Sequence, residues 1–115
     1  MSYDVSLYLH VDTGGPWAPS SDEVCVANVG NYTSNVAPMW ADALGHRLAD
    51  LHDRNAGESL PALAAAVRKL RANPDRYRVM EPANGWGDYE GAVAYLAALC
   101  DACAVHPKAV IHISH

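Results

Sequence analysis

The chain opens with a regular alternation of apolar and polar residues. A period of two is typical of a strand that buries one of its faces. A second apolar run over 24–29 follows turn-forming residues at 12–16, so the two runs predict an antiparallel hairpin with a rather long loop. The apolar positions of the first strand are Tyr3, Val5, Leu7, Leu9 and Val11.

Helical signals begin directly after the hairpin. The sequence predicts a first helix over 36–44, with Thr33 or Asn35 as its N-cap. Pro38 is tolerated in the first turn of a helix, and Gly45 suits the position just after the last turn.

The middle of the chain predicts a second helix. Asn55 and Glu58 have the spacing of a capping box at a helix start, and Asn73-Pro74 ends the pattern. One further helical turn is predicted over 75–80. The apolar stripe of the second helix consists of Leu60, Leu63, Ala64, Val67 and Leu70.

The longest predicted helix lies near the end of the chain. It starts at Gly87 or Asp88 and ends at His106-Pro107, and a last strand follows over 109–114. The apolar positions of this helix are Tyr89, Ala92, Val93, Leu96, Leu99, Cys100 and Cys103.

This order of elements, β-β-α-α-α-β, predicts an α+β fold. Helices should pack on one face of a small antiparallel sheet of about three strands, with the last strand beside the first. In that arrangement His112 lies on the opposite face with Tyr8 and His10, which makes that face a secondary candidate for a ligand or a partner subunit.

Composition narrows the classes of function. The 115 residues predict one domain over 1–115, and a net charge of −5 disfavours binding to nucleic acid. The basic cluster at 68–71 with Arg76 and Arg78 is interpreted as a solvated helix face. We find no export signal and no apolar run that would span a bilayer, and three cysteines fit reduced thiols, so we expect a cytoplasmic protein.

No motif predicts a metal or a cofactor. Cys100, Cys103 and His106 have a spacing that metal sites use, but they lie in a predicted helix without a fourth ligand, so we favour a core-facing role. His10, His112 and His115 form a weaker alternative on the far face of the sheet. No phosphate loop or nucleophile elbow is present.

Two short polar and aromatic segments stand where loops turn into helices, at 31–35 and 84–90. Amides and hydroxyls read donor and acceptor patterns, aromatic rings stack on flat ligands, and a helix N-terminus offers N–H groups to an anion. The sequence therefore predicts a site for a nucleotide-like ligand. The candidate ligand-binding residues are Asn31, Tyr32, Thr33, Asn35, Trp40, Asn84, Trp86, Asp88 and Tyr89.

Each of these features also has a purely structural explanation. Asn35 suits a cap, Trp40 suits the core, and the glycines at 85 and 87 allow the backbone to bend. Asp88 and Glu90 are also a candidate acid and base, although carboxylates are favoured at any helix N-terminus. A structural loop–helix junction therefore remains the alternative to a ligand site.

The same two segments, with the first strand and His106-Pro107, resemble a family of small uncharacterised proteins encoded by phages and prophages. The similarity spans nearly the whole chain and includes the patterns N-x-T-x-N at 31–35 and NGWG-x-YE at 84–90. It implies expression in a bacterial host cytoplasm and action on host machinery or defence. It transfers no catalytic residues.

Taken together, these features favour a binding protein over an enzyme. Our hypothesis is that the protein sequesters a nucleotide-derived immune signal of the host, with Tyr32 or Trp86 stacking on the base. One alternative is an inhibitor that blocks a host protein through the same aromatic surface. Another is a small hydrolase that uses Asp88 or Glu90, and the sequence leaves the oligomeric state open.

Overall fold

A three-stranded antiparallel sheet in the order β2-β1-β3 organises the molecule, and the predicted α+β fold is confirmed. The structure is a computed structural model that describes residues 2–12 and 21–115, with only the backbone at 10–12 and 21–22. The predicted turn at 13–16 lies outside the described residues. The elements are β1 (Ser2–Asp12), β2 (Ser21–Thr33), α1 (Ala37–Leu44), α2 (Ala56–Ala72), α3 (Pro74–Arg78), α4 (Tyr89–Val105) and β3 (Val110–Ser114).

Strand β2 is longer than its apolar run predicted, and two bulges interrupt it. The pairing with β1 slips by one residue at Val29 and again at Val26. Without these slips, alternation would turn Asn28 towards the helices. With them, Asn28 stands opposite Ser6, while Val26 and Val29 both pack against the core. The bulges therefore keep a polar amide out of the core at no loss of apolar contact.

The core lies between the helical layer and one face of the sheet. The predicted alternation in β1 is confirmed, since Val5 and Leu7 are fully buried and Asp4 is exposed. The buried stripe of α2 is rotated slightly from the predicted one, because Leu60 and Ala64 are only half-buried. The buried residues of α2 are Ala56, Ser59, Leu63, Ala66, Val67 and Leu70.

The helix ends follow the predicted capping chemistry. Asn55 Oδ1 accepts a hydrogen bond from the backbone N–H of Glu58 (2.8 Å), which is the N-cap half of the predicted capping box. At the start of the first helical segment the cap is Thr33 and not Asn35, because Thr33 Oγ1 accepts from the N–H of Asn35 (3.3 Å). One turn of 3₁₀ helix over Ser34–Val36 then leads into α1.

The outer edge of β3 is covered by the segment that precedes α2. The N–H of Asp53 donates to Ile111 O (2.8 Å), and the N–H of Ile113 donates to His52 Nδ1 (2.9 Å). On the far face, the rings of Tyr8 and His112 are 4.5 Å apart, as the predicted strand order requires. The side chain of His10 lies outside the described residues. Among the helices that the structure describes, none has the length and apolar character to cross a bilayer.

Candidate functional site

A cleft of about 690 Å³ opens at the end of the sheet where β2 leads into the first helix. The two segments predicted from sequence face one another across it. Trp40, Asp88 and Tyr89 were also predicted to contribute but are not among its lining residues. The cleft is lined by Ser2, Asn31, Tyr32, Thr33, Asn35, Asn84, Trp86 and Gly87.

Ser2 is the lining side chain that the sequence interpretation missed. It stands opposite Thr33 in the hairpin, and its hydroxyl accepts a hydrogen bond from Asn31 Nδ2 (2.9 Å). Counting the hairpin register from Asp12 and Ser21 without bulges would place Ser2 opposite Asn31, and the two bulges place it opposite Thr33 instead. The observed pairing thus puts Ser2 beside the first segment.

Tyr32 joins the two segments. Its hydroxyl accepts a hydrogen bond from the backbone N–H of Asp88 (3.2 Å), and its ring stacks on Tyr95 with centroids 5.8 Å apart. A Cβ at Gly91 would overlap that hydroxyl and lie 2.6 Å from Tyr32 Cζ. Glycine at 91 therefore lets a side chain from the sheet wedge against the first turn of α4, and Tyr32 forms a wall of the cleft.

Gly87 makes a second close approach across the junction. Its φ is +96°, a region that other residues rarely adopt. A Cβ there would lie 2.5 Å from Thr33 Cγ2 and 2.9 Å from Val36 Cγ1. The backbone of the second segment thus rests directly on the first, which fixes the width of the cleft.

The N-terminus of α4 is already occupied by the protein's own carboxylates. Asp88 Oδ1 accepts from the N–H of Gly91 (2.7 Å), and Glu81 Oε2 accepts from the N–H of Tyr89 (2.8 Å). The N–H groups of Tyr89 and Gly91, which this helix end was expected to offer to an anion, are thus already paired with carboxylates.

Trp40 and Tyr89 serve the core and not the cleft surface. Trp40 is fully buried, and its Nε1 donates to Ala92 O (3.0 Å). Tyr89 is also buried, and its hydroxyl donates to Leu70 O (2.5 Å). Trp40 thereby joins α1 to α4, and Tyr89 joins α4 to α2. For Trp40 this is the core role that the sequence left as an alternative.

Several polar atoms in the cleft have no hydrogen-bond partner among the residues that the structure describes. Asn84 Oδ1 accepts from the N–H of Trp86 (3.0 Å), so its Nδ2 group is left to donate elsewhere. Asn31 uses one amide hydrogen on Ser2 and keeps its Oδ1 as an acceptor. The side-chain amide of Asn35 is exposed and makes no hydrogen bond within the described part of the chain. The Trp86 side chain beside these groups is 69% exposed.

The candidate acid and base both have structural partners. Asp88 caps α4, and Glu90 Oε1 accepts from Arg78 Nη2 (2.6 Å). The Arg78 guanidinium also lies 5.0 Å from the centroid of the Tyr89 ring. Neither carboxylate is among the described residues that line the cleft.

The remaining chemical clusters have structural roles. Asp42 accepts hydrogen bonds from Arg76 Nη2 (2.7 Å) and from the Tyr77 hydroxyl (2.8 Å), which ties α1 to α3 and lowers the pKa of Asp42. Burial raises the pKa of Cys103 to about 11, in keeping with the core-facing interpretation of this residue. Within 2–9 and 23–115 no three metal-binding side chains come together.

Comparison with protein-family models, curated proteins and solved structures gives no match to the chain. The resemblance to phage proteins therefore stays an expectation from sequence, and the candidate site rests on its geometry.

Proposed function

We propose that this protein binds a small ligand with a flat, nucleobase-like ring in the cleft and sequesters it without changing it. The observation that carries the proposal is the exposed indole of Trp86 beside amide groups that keep donors and acceptors unpaired within the described residues. A large aromatic side chain is usually buried or engaged at an interface, because exposing its surface to water is unfavourable.

The dimensions and chemistry of the cleft support this proposal. Its volume of about 690 Å³ falls in the range of small-molecule sites. Trp86 supplies a stacking surface, while Asn35 and Asn84 supply donors and acceptors for the edge of a ring. Tyr32 was a second candidate for stacking, but its ring packs on Tyr95 and its hydroxyl accepts from Asp88. Stacking is therefore assigned to Trp86.

Sequestration is favoured over catalysis by the state of the two nearby carboxylates. Asp88 accepts from a helix N–H group and Glu90 pairs with Arg78, so neither is left to activate water in the cleft. In the phage setting that the sequence suggests, a binder of this kind would remove a host immune signal by mass action in the bacterial cytoplasm.

The proposal is tested by titrating isotope-labelled protein with a panel of nucleobases, nucleosides, nucleotides and cyclic dinucleotides. We expect a ligand to shift the indole signal of Trp86 and the side-chain amide signals of Asn35 and Asn84. Trp86→Phe and Asn35→Ala should weaken binding. Asn73→Ala removes an exposed amide that does not line the cleft and serves as the control.

The fate of the ligand separates binding from catalysis. After incubation and denaturation of the protein, the released ligand should be chemically intact. A ligand altered at an enzymatic rate would refute sequestration. Equal binding by the parent, Trp86→Phe and Asn35→Ala would refute the site.

A contact with a host protein is the second candidate. Val79 and Trp86 lie in the segment between α3 and α4, and their side chains are 83% and 69% exposed. Exposed aromatic residues often dominate the energy of protein interfaces. If no small molecule in the panel shifts the Trp86 indole, this candidate is favoured.

A further inference from the structure

None of the described residues that line the cleft carries a positive charge, and we infer that the cleft recognises the uncharged nucleoside part of its ligand and disfavours phosphate. This inference rests on the proposed function, which it narrows to one ligand class. A phosphate site in a protein usually needs a cation, a free helix N-terminus or a backbone nest. Among the described lining residues there is no cation, and at the start of α4 the N–H groups of Asp88, Tyr89 and Gly91 already have acceptors.

The described lining residues include no Asp or Glu. They offer hydroxyls, amides and one indole, and none of them is Lys, Arg or His. The basic residues nearest in sequence to the second segment are paired with carboxylates and do not line the cleft. Arg78 pairs with Glu90 (2.6 Å), and Arg76 pairs with Asp42 (2.7 Å). A phosphate in the cleft would therefore lack a charged partner.

The helix end beside the cleft does not replace such a cation. The N–H groups of Tyr89 and Gly91 donate to the carboxylates of Glu81 and Asp88. The N–H of Asp88 itself donates to Tyr32. These carboxylates neutralise the positive end of the helix dipole and add negative charge at the border of the cleft.

A further carboxylate stands next to the opposite wall. Asp4 is exposed and pairs with Asn31 in the sheet register, and the whole chain carries a net charge of −5. A dianionic phosphate would thus approach a neutral site within a negative field. A sugar hydroxyl or a base edge meets no such repulsion and fits the amides of Asn35 and Asn84.

Matched pairs of ligands test this inference. Each nucleoside is titrated beside its own 5′-monophosphate, so that the base and the sugar are the same and only the phosphate differs. We expect the nucleoside to bind at least about tenfold more tightly than the monophosphate. We also expect its affinity to change little between about 50 and 500 mM salt, because no ion pair forms.

The possible results separate this inference from the proposed function. If the monophosphate binds as well as the nucleoside or better, the inference is overturned while the binding function stands. If neither member of any pair shifts the Trp86 indole, the proposed function itself fails.

A gain of charge provides the matched variant. Asn35→Lys places a cation at the cleft where no existing hydrogen bond is lost, and it should reverse the preference towards the monophosphate. Asn73→Lys adds the same charge at an exposed position that does not line the cleft and should leave the preference unchanged. If Asn35→Lys does not move the preference relative to Asn73→Lys, the missing cation is not what excludes phosphate.

Discussion

Gly91→Ala is the substitution that most directly tests how the two segments are held together. Alanine in place of glycine inside a helix normally adds about 1 kcal/mol of stability. At this position, however, the new Cβ would overlap the Tyr32 hydroxyl and lie 2.6 Å from its ring carbon Cζ. Overpacking of this kind costs about 1–3 kcal/mol.

The ring of Tyr32 has little room to move away from the new methyl group. It stacks on Tyr95, and moving it would break the hydrogen bond from the N–H of Asp88 (3.2 Å), which is a further cost of about 0.5–1.5 kcal/mol. The clash and the lost bond outweigh the helix propensity. We therefore expect Gly91→Ala to lower the free energy of unfolding by about 1–3 kcal/mol.

Urea denaturation followed by circular dichroism measures this difference, and a second background checks its cause. Tyr32→Leu removes the hydroxyl and Cζ but keeps an apolar side chain. In that background Gly91→Ala should become neutral or stabilising, because the helix propensity is then opposed only by the contact with the Asp88 carboxylate oxygen (2.9 Å). The proposed close packing of Tyr32 against Gly91 would be refuted if the Gly91→Ala protein were as stable as the parent. It would also be refuted if the substitution were equally destabilising in both backgrounds.

Two further predictions concern the helical layer. Leu96→Ala should cost about 2–5 kcal/mol, because Leu96 is fully buried, whereas Arg71→Ala at an exposed position should be nearly neutral, and equal melting temperatures for the two variants would contradict the assigned helix faces. The hydrogen bond from Arg76 lowers the pKa of Asp42 from its ordinary value of 3.8, so its stabilising contribution is complete above that pH and is lost as the pH falls below it. Asp42→Asn should therefore be less stable than the parent at neutral pH, and the gap in the free energy of unfolding should close in acid; a gap that stays constant with pH would show that the charge of Asp42 is not involved.

Local patterns were sufficient to predict the elements of this fold. The alternation that begins at Tyr3, the capping spacing at Asn55 and the stop at Pro74 each act within a few residues of the chain. Their outcome depends little on the rest of the fold. The position of the last strand beside the first could also be predicted. Ile111 faces the helices and extends the same buried face of the sheet as Leu7.

The bulges in β2 could not be predicted in the same way. Nothing local in the run around Asn28 shows that two residues will slip out of the pairing. The slips are favourable only because Val26 and Val29 gain contact with helices that come later in the chain. They change which side chains of β2 share a face, and they place Thr33, rather than Asn31, opposite Ser2 at the cleft.

The chemistry of the candidate site depends even more on distant partners. The sequence placed Tyr32 and Trp86 on an equal footing as stacking residues, since both are aromatic and both stand in polar segments. The structure distinguishes them through Tyr95, which covers the ring of Tyr32, and through Asn84, which holds only the backbone of Trp86 and leaves its indole exposed. Sequence composition predicts which groups are available, but only tertiary contacts decide which of them are left for a ligand.

Distant partners also account for the lack of an anion site at the start of α4. A helix N-terminus after a glycine-containing loop is favourable for anions in isolation. Here the chain folds Glu81 back onto that helix end, and Asp88 caps it from within, so the favourable interaction with an anion is made inside the protein. A site built beside a helix end that is already neutralised is left with hydroxyls, amides and an indole, and these groups favour an uncharged ring over a phosphate.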